Sequence, residues 1–215
     1  MTLEFFDDLA FLFTSDNRNR GIIRLNFDEA ACLWKAVKAT RGPVREIGRR
    51  HGGSTVLLVA AAGPGRHVES IDIAPAHHST CERVFAKYVE GGRLTLHVAD
   101  SRTFSGAPVG CLFIDGDHSY EGVLGDVKAH WPQVQTGGPA PALVAFHDAV
   151  PNLGLAHEGQ DNHCEGVARV CAELLTAGVA VEWSTAGSML VLQKLGELPP
   201  SFSIEPARAA TSGLA

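Results

Sequence analysis

The sequence predicts an α/β fold, a mostly parallel sheet with helices on both faces and an antiparallel hairpin at its end. Three observations predict it. From Val44 onward, apolar stretches of strand length alternate with helix-length segments, the signature of successive strand–helix units. Two of the strand-like runs, Cys111-Leu112-Phe113-Ile114 and Ala142-Leu143-Val144-Ala145-Phe146, are apolar throughout, as in strands covered on both faces, and lead into the acids Asp115 and Asp148. The last two strand-like stretches are separated only by a turn around Ala186-Gly187-Ser188, as a hairpin requires.

Each element follows from local sequence. Residues 3–13 alternate acids with Leu and Phe at helical spacing, and Phe27–Ala39 is a stronger helix with Asp28 and Glu29 in its first turn. Between them Ser15–Gly21 is polar, and residues 1–40 are read as an N-terminal helical cap over the main domain, 41–196. Arg41-Gly42-Pro43 breaks the chain. Val44–Gly48 is the first strand, followed by the turn 49–54 and the apolar helix Thr55–Ala62. Arg66–Asp72 is the second strand and His77–Val89 a helix closed by Gly91-Gly92. Arg93–Ala99 is the third strand, ending at Asp100-Ser101. Val109–Ile114 is the fourth, then a helix over Tyr120–Trp131. The fifth strand follows Gly137-Gly138-Pro139. A polar loop, Val150–Asn162, reads as a substrate-facing lid and leads to the helix Glu165–Ala177. Val179–Ser184 and Met189–Leu195 form the hairpin, and the tail, 197–215, is rich in Pro, Ala and Ser.

With 215 residues, 45% apolar and 20% charged, the chain has the make-up of one globular domain with a full core. A net charge of -6 argues against a nucleic-acid groove, which needs a cationic surface. No apolar run is long enough to span a bilayer. The five cysteines are scattered without a CxxC pair, so a reducing, cytoplasmic setting is expected. The acidic N-terminus lacks the cationic start of a signal peptide. The apolar N-terminal segment is available as a homo-oligomer interface.

In an open α/β sheet, ligands bind outside the carboxyl ends of the strands. If the fourth and fifth strands are parallel neighbours, Asp115 and Asp148 emerge side by side at that edge. Gly48, Gly52 and Gly53 lie where backbone approaches a ligand at a helix N-terminus. Their spacing is neither GxGxxG nor a P-loop. Glu46 in the first strand, Asp72 ending the second and Asp100-Ser101 ending the third suit an adenosine ligand. Such an anionic rim favours a cationic sulfonium over a pyrophosphate.

The string Glu46-Ile47-Gly48 with Gly52-Gly53-Ser54-Thr55, then Ser70-Ile71-Asp72, Asp100-Ser101, Phe113-Ile114-Asp115-Gly116-Asp117-His118-Ser119-Tyr120 and Phe146-His147-Asp148 resembles the class I S-adenosylmethionine-dependent methyltransferases. Within them it is similar to the branch of macrolide-sugar O-methyltransferases and cephalosporin-hydroxylase-like proteins, over residues 44–195. The resemblance implies a Rossmann-like, seven-stranded sheet with a reversed final hairpin. It implies that Glu46, Gly48 and Ser54 contact the methionine part of S-adenosylmethionine, Asp72 the ribose, and Asp100 and Ser101 the adenine, with Asp115 beside the cofactor. It further implies a magnesium ion at Asp115, Asp148 and His147, with His118 and Asp115 catalytic and His118 the base. His147 stands where relatives carry a carboxylate, and magnesium prefers oxygen ligands. Strand alternation is expected to send His147 and Asp148 to opposite sides, leaving Asp148 to reach the ion.

The expected activity is methyl transfer to a hydroxyl of a small molecule, a sugar-like or natural-product acceptor. Three alternatives stay open at this point. They are a nicotinamide-dependent oxidoreductase using Asp72 for ribose, a metal-dependent hydrolase using His118, Asp148 and the loop histidines, and a non-catalytic binding protein. His157, Glu158, Asp161 and His163 share one loop but lack the spacing of a zinc site. Asp117 is read as second to the site or as holding its turn. Asp126 is expected to be a surface acid, and Trp34, Trp131 and Trp183 packing residues.

Overall fold

The computed structural model describes residues 9, 12, 22–75, 78–135, 138–150 and 164–202. Most of the 3–13 segment, the 15–21 loop, the lid with its His157–His163 cluster, and the tail beyond Phe202 lie outside the described residues. The elements run α1 (Phe27–Ala39), β1 (Val44–Ile47), α2 (Gly53–Ala62), β2 (Val68–Asp72), α3 (Ser79–Glu90), β3 (Leu94–Val98), β4 (Cys111–Ile114), α4 (Tyr120–His130), β5 (Leu143–Phe146), α5 (Cys164–Thr176), β6 (Ala180–Ala186) and β7 (Met189–Lys194).

They build one seven-stranded sheet in the order β3-β2-β1-β4-β5-β7-β6. β1 to β5 are parallel, and β7 runs antiparallel to both β5 and β6. The chain winds outward from β1 to β3 and returns to start again at β4. The β1/β4 junction is therefore the switch point where a sheet of this kind opens a ligand crevice. Differences from the sequence reading are confined to element ends. α2 begins two residues early, and Val109 makes only an isolated bridge with Val134 before β4 starts.

β4 shows how the sheet divides the core. Cys111 and Phe113 pack with α1, α2 and α3 on one face, while Leu112 and Ile114 pack with α4 and α5 on the other, as a period of two dictates. Both faces are covered, so an apolar run is the only pattern that suits the strand. α2 is buried at every position from Gly53 to Ala62, the state of a helix apolar all round. Trp131 is fully buried and donates from Nε1 to the Gly196 carbonyl, whereas Trp34 and Trp183 are partly buried against the core. Among the described residues no helix is long and apolar enough to cross a membrane.

Charged residues lie inside this core as well. Arg45 of β1 is fully buried. Its guanidinium donates to Glu69 Oε2 (3.0 and 2.6 Å), to the Ala107 carbonyl (2.8 Å) and to Gln133 Oε1. Nη1 also lies 3.3 Å from His130 Nδ1, and His130 Nε2 lies 2.8 Å from the Ser101 carbonyl. Arginine only donates and a carbonyl only accepts, so this pair of contacts assigns His130 the neutral tautomer with the proton on Nε2. Burial, reinforced by the arginine, pushes the imidazole down to about 4. Thus Arg45 ties the interior of β1 to the segment that follows β3.

Candidate active site

At the carboxyl end of the parallel strands lies a cavity of about 690 Å³, within the usual range for a small-molecule or cofactor site. The β1–α2 turn, the ends of β2 and β3, the β4–α4 loop and the turn after β5 all line it. The rim is less anionic than the sequence reading expects: six aspartates line it, but so do four arginines, Arg24, Arg49, Arg50 and Arg102. Arg49 donates to the carbonyls of Ser70, His97 and Ala74, and Arg102 grips Asp100 through two nitrogens at 2.9 and 2.7 Å.

The turn after β1 owes its shape to Gly48, whose φ is +88°. A Cβ there would stand 2.1 Å from the Asp115 carbonyl oxygen, well inside contact distance. β1 and β4 can therefore converge at their ends only because position 48 has no side chain. Gly48→Ala is expected to cost about 2–4 kcal/mol of stability, combining left-handed strain with this clash. It should also abolish cofactor binding, because Asp115 must move. Urea denaturation paired with a titration of S-adenosylhomocysteine checks both effects.

The other expected cofactor residues fall into two groups. Gly48, Ser54, Asp72, Asp100, Ser101 and Asp115 line the cavity. Glu46 does not: it is fully buried beneath α2, where Ser54, Thr55 and Ser70 all donate hydroxyls to it. Burial pushes the Glu46 carboxyl up, and the hydroxyls oppose that shift. Asp72 accepts from the backbone N–H groups of Arg49, Arg50 and Ala74 at 2.8, 2.9 and 2.8 Å. Of roughly four acceptor positions on a carboxylate, it thus keeps about one for a ligand in the cavity. Asp100 is held down to about 2 by the Arg102 guanidinium.

Asp126 corrects an expectation. It is not a surface acid but 3% exposed; it lines the cavity and accepts a hydrogen bond from the Ser101 hydroxyl. Burial pushes its carboxyl up to about 6. The signal was present: Val123, Asp126, Val127 and His130 form one i, i+3, i+4, i+7 stripe, the buried face of α4.

At the β4/β5 edge four side chains converge. Asp115, His118, His147 and Asp148 each bring one donor atom within 4.8 Å of the others. His147 Nδ1 lies 3.1 Å from Asp115 Oδ1 and 3.4 Å from Asp148 Oδ2. His118 Nε2 lies 3.1 Å from Asp148 Oδ2 and 3.5 Å from Asp115 Oδ1. The expectation that His147 and Asp148 diverge is overturned. β5 ends at Phe146, and Asp148 adopts a left-handed φ of +54°, so strand alternation no longer applies and both side chains turn to the same point.

Parallel pairing of β4 with β5 puts Ile114 beside Phe146, and the His147 N–H donates to the Ile114 carbonyl. Asp117 holds the turn by accepting from the Ser119 N–H, and the Ser119 hydroxyl caps α4. Gly166 of α5 fixes the loop from behind; a Cβ there would lie 2.4 Å from the His118 carbonyl oxygen. No local pattern in the sequence marks that glycine, because its contact partner lies in a distant loop.

Charge in the cluster is balanced between the two types of group. The neighbouring carboxylates of Asp115 and Asp148 push His118 up to about 9. Burial alone would lower His147, but Asp115, Asp148 and Glu29 outweigh it and push it up to about 12. Burial would raise Asp115 and Asp148, yet the two imidazoles hold both carboxyls below their ordinary value. Such shifts from desolvation and specific partners in a cleft are typical of functional sites.

The cluster also fits a divalent ion. Its donor atoms are close enough to share one centre, and His118 Nε2 is buried without an aligned hydrogen-bond partner. Two carboxylates with two imidazoles suit a first-row transition ion; magnesium would be served by the carboxylates alone.

Comparison with known proteins agrees with this geometry. A family model described as "Methyltransferase domain" matches residues 45–149. No curated protein matches the sequence. Among solved structures, cofactor-bound Rv0187 from MTB is 18% identical, with a TM-score of 0.57 over 87% of this chain and 85% of that one. The O-methyltransferase TomG from Streptomyces achromogenes, involved in tomaymycin synthesis and solved with SAM, is 17% identical, with a TM-score of 0.55 over 82% and 83%. SAH-bound PaMTH1 from Podospora anserina is 12% identical, with a TM-score of 0.62 over 88% and 87%. At these identities the structural likeness speaks to the fold, and the family match speaks to the stretch that carries the glycine turn and the four-residue cluster. Residues 45–149 therefore match a methyltransferase domain, carried on a fold that the chain shares with these solved structures.

Proposed function

We propose that this protein is an S-adenosylmethionine-dependent O-methyltransferase acting on a hydroxyl of a small, sugar-like or natural-product acceptor in the cytoplasm, with help from a divalent metal and a histidine base. The observation that carries this reading is the placement of the Asp115–His118–His147–Asp148 cluster in the same cavity as the glycine turn. S-adenosylmethionine supplies the reactive methyl on its sulfonium. The β1–α2 turn, Asp72 and the Ser101 region hold the rest of that molecule, so that the methyl faces the β4/β5 edge.

The two histidines divide the work by exposure. His118 has 29% of its side chain accessible and His147 10%. His118 therefore meets the acceptor, while His147 stays with Asp115 and Asp148 as a cation holder. His118 accepts the hydroxyl proton as the O–CH3 bond forms and the S–CH3 bond breaks, with the sulfur keeping the bonding electron pair. A cation held by Asp115 and Asp148 would take from His118 the two partners that keep it protonated. A divalent ion at Asp115, Asp148 and His147 would supply Lewis-acid stabilisation of the acceptor oxygen. Fixing donor and acceptor on one sheet edge lowers the entropic part of the barrier.

The test is a thermal-shift series with S-adenosylhomocysteine and with NAD. At a ligand concentration of a hundred times Kd, S-adenosylhomocysteine should stabilise the fold by about 2.7 kcal/mol, and NAD should do nothing. Stabilisation by NAD alone would transfer the site to the oxidoreductase reading. Incubation with labelled S-adenosylmethionine and vicinal-diol acceptors, with and without EDTA, then tests O-transfer and metal dependence.

A further inference from the structure

Glu29 is a buried acid whose role in α1 is only half explained. It is the third residue of the helix, and with Asn26 it completes a reciprocal capping box: the Glu29 N–H donates to Asn26 Oδ1 at 3.0 Å, and the Asn26 N–H to Glu29 Oε2 at 2.8 Å. Capping alone needs one carboxylate oxygen at the surface. Glu29 is instead 3% exposed, and its other contacts lead away from the helix. Oε1 accepts from the N–H and the hydroxyl of Ser188, both at 2.8 Å, and Oε2 lies 3.4 Å from His147 Nε2. Ser188 in turn accepts at its carbonyl from the N–H groups of Ala149 and Val150. One carboxylate thus joins the start of α1, the β6–β7 turn and the ring of His147, while the turn holds the backbone just beyond Asp148. Gly187 makes room for this: a Cβ there would stand 2.5 Å from Glu29 Oε1.

An ionised carboxylate only accepts, so the ring nitrogen facing Glu29 must carry a proton. We propose that Glu29 is a positioning residue for the site: by accepting from His147 Nε2–H, it holds the imidazole with Nδ1 turned to Asp115 and Asp148, where that nitrogen can serve a cation. The geometry stands by itself, whereas its consequence for a cation rests on the metal reading above.

Glu29→Gln removes the charge at nearly constant shape; because its NH2 group also meets the Asn26 N–H that Oε2 now accepts, Asn26→Ala is measured alongside as the control for weakened capping. Its one carbonyl oxygen stays with the two Ser188 donors, and its NH2 group then faces His147 Nε2. That reverses the hydrogen bond: the amide donates to Nε2, and the ring keeps its proton on Nδ1, against Asp115 and Asp148. Two measurements on the full-length protein follow, calorimetric titration with Mn2+ and the ring 15N resonances of His147. In wild type, Nε2 should be protonated and slow to exchange. In Glu29→Gln that signal should be lost, and Mn2+ should bind about 10–100-fold more weakly, the usual cost of removing an outer partner of a ligand histidine.

If wild type and variant bind Mn2+ equally and show the same ring spectrum, the positioning role is overturned and the metal reading survives. If neither binds Mn2+, the metal reading fails, and the ring spectrum still decides: an Nε2 proton lost in the variant upholds the role of Glu29, and an unchanged spectrum overturns it. Should Glu29→Gln not fold, wild type alone gives the answer, since an unprotonated Nε2 on His147 contradicts the assigned contact.

Discussion

His118→Ala should lower the rate of methyl transfer by about 10²–10⁴-fold, the range for losing a general base, while leaving S-adenosylhomocysteine affinity close to wild type. The separation follows from geometry. His118 lies on the β4–α4 loop with its Nε2 against Asp148 and Asp115, whereas the proposed cofactor end of the cavity is built by the β1–α2 turn and the ends of β2 and β3. Single-turnover kinetics with labelled S-adenosylmethionine reads the rate, and calorimetry with the product reads the affinity. A rate within threefold of wild type would remove His118 from the mechanism. A parallel loss of affinity would make it part of the binding surface instead.

The second large effect is on stability. Arg45→Ala should cost about 3–5 kcal/mol, the range for leaving one partner of a buried ion pair behind, read by urea denaturation. The magnitude follows from what is stranded. Glu69 loses its cation, Gln133 and the Ala107 carbonyl lose donors, and His130 loses the donor at Nδ1. Because His130 also holds the Ser101 carbonyl, the damage should extend to the segment 101–107 and reach the cavity through Ser101. A loss below about 1 kcal/mol would mean that water replaces the guanidinium and that the network contributes little.

Much of this architecture was legible from local chemistry. Cys111–Ile114 and Leu143–Phe146 are apolar at every position, so their sequences show strands buried on both faces. The acids beyond them mark the functional edge without knowledge of the pairing. The convergence of His147 with Asp148 was not legible, because the rule of alternation holds only while the backbone stays extended, and nothing before the fact marks Asp148 as left-handed. Glu29 and Asp126 were legible only in part. Each shares a helical stripe with core residues, Glu29 with Leu33 and Ala36, Asp126 with Val123 and His130. An acid on such a stripe reads as solvated until its partners are known, and Ser188 is 159 positions from Glu29 along the chain. Arg45 was hidden for the same reason, since its partners come from β2, α4 and two loops.

The left-handed backbone at Asp148 restricts which side chains that position can accept, before any chemistry is asked of it. Asparagine and glycine share aspartate's tolerance for positive φ, whereas glutamate, serine and alanine do not. Lengthening the acid there would therefore preserve the charge and lose the conformation. Replacing it by asparagine would do the reverse, which makes asparagine the cleanest way to ask what the negative charge alone contributes.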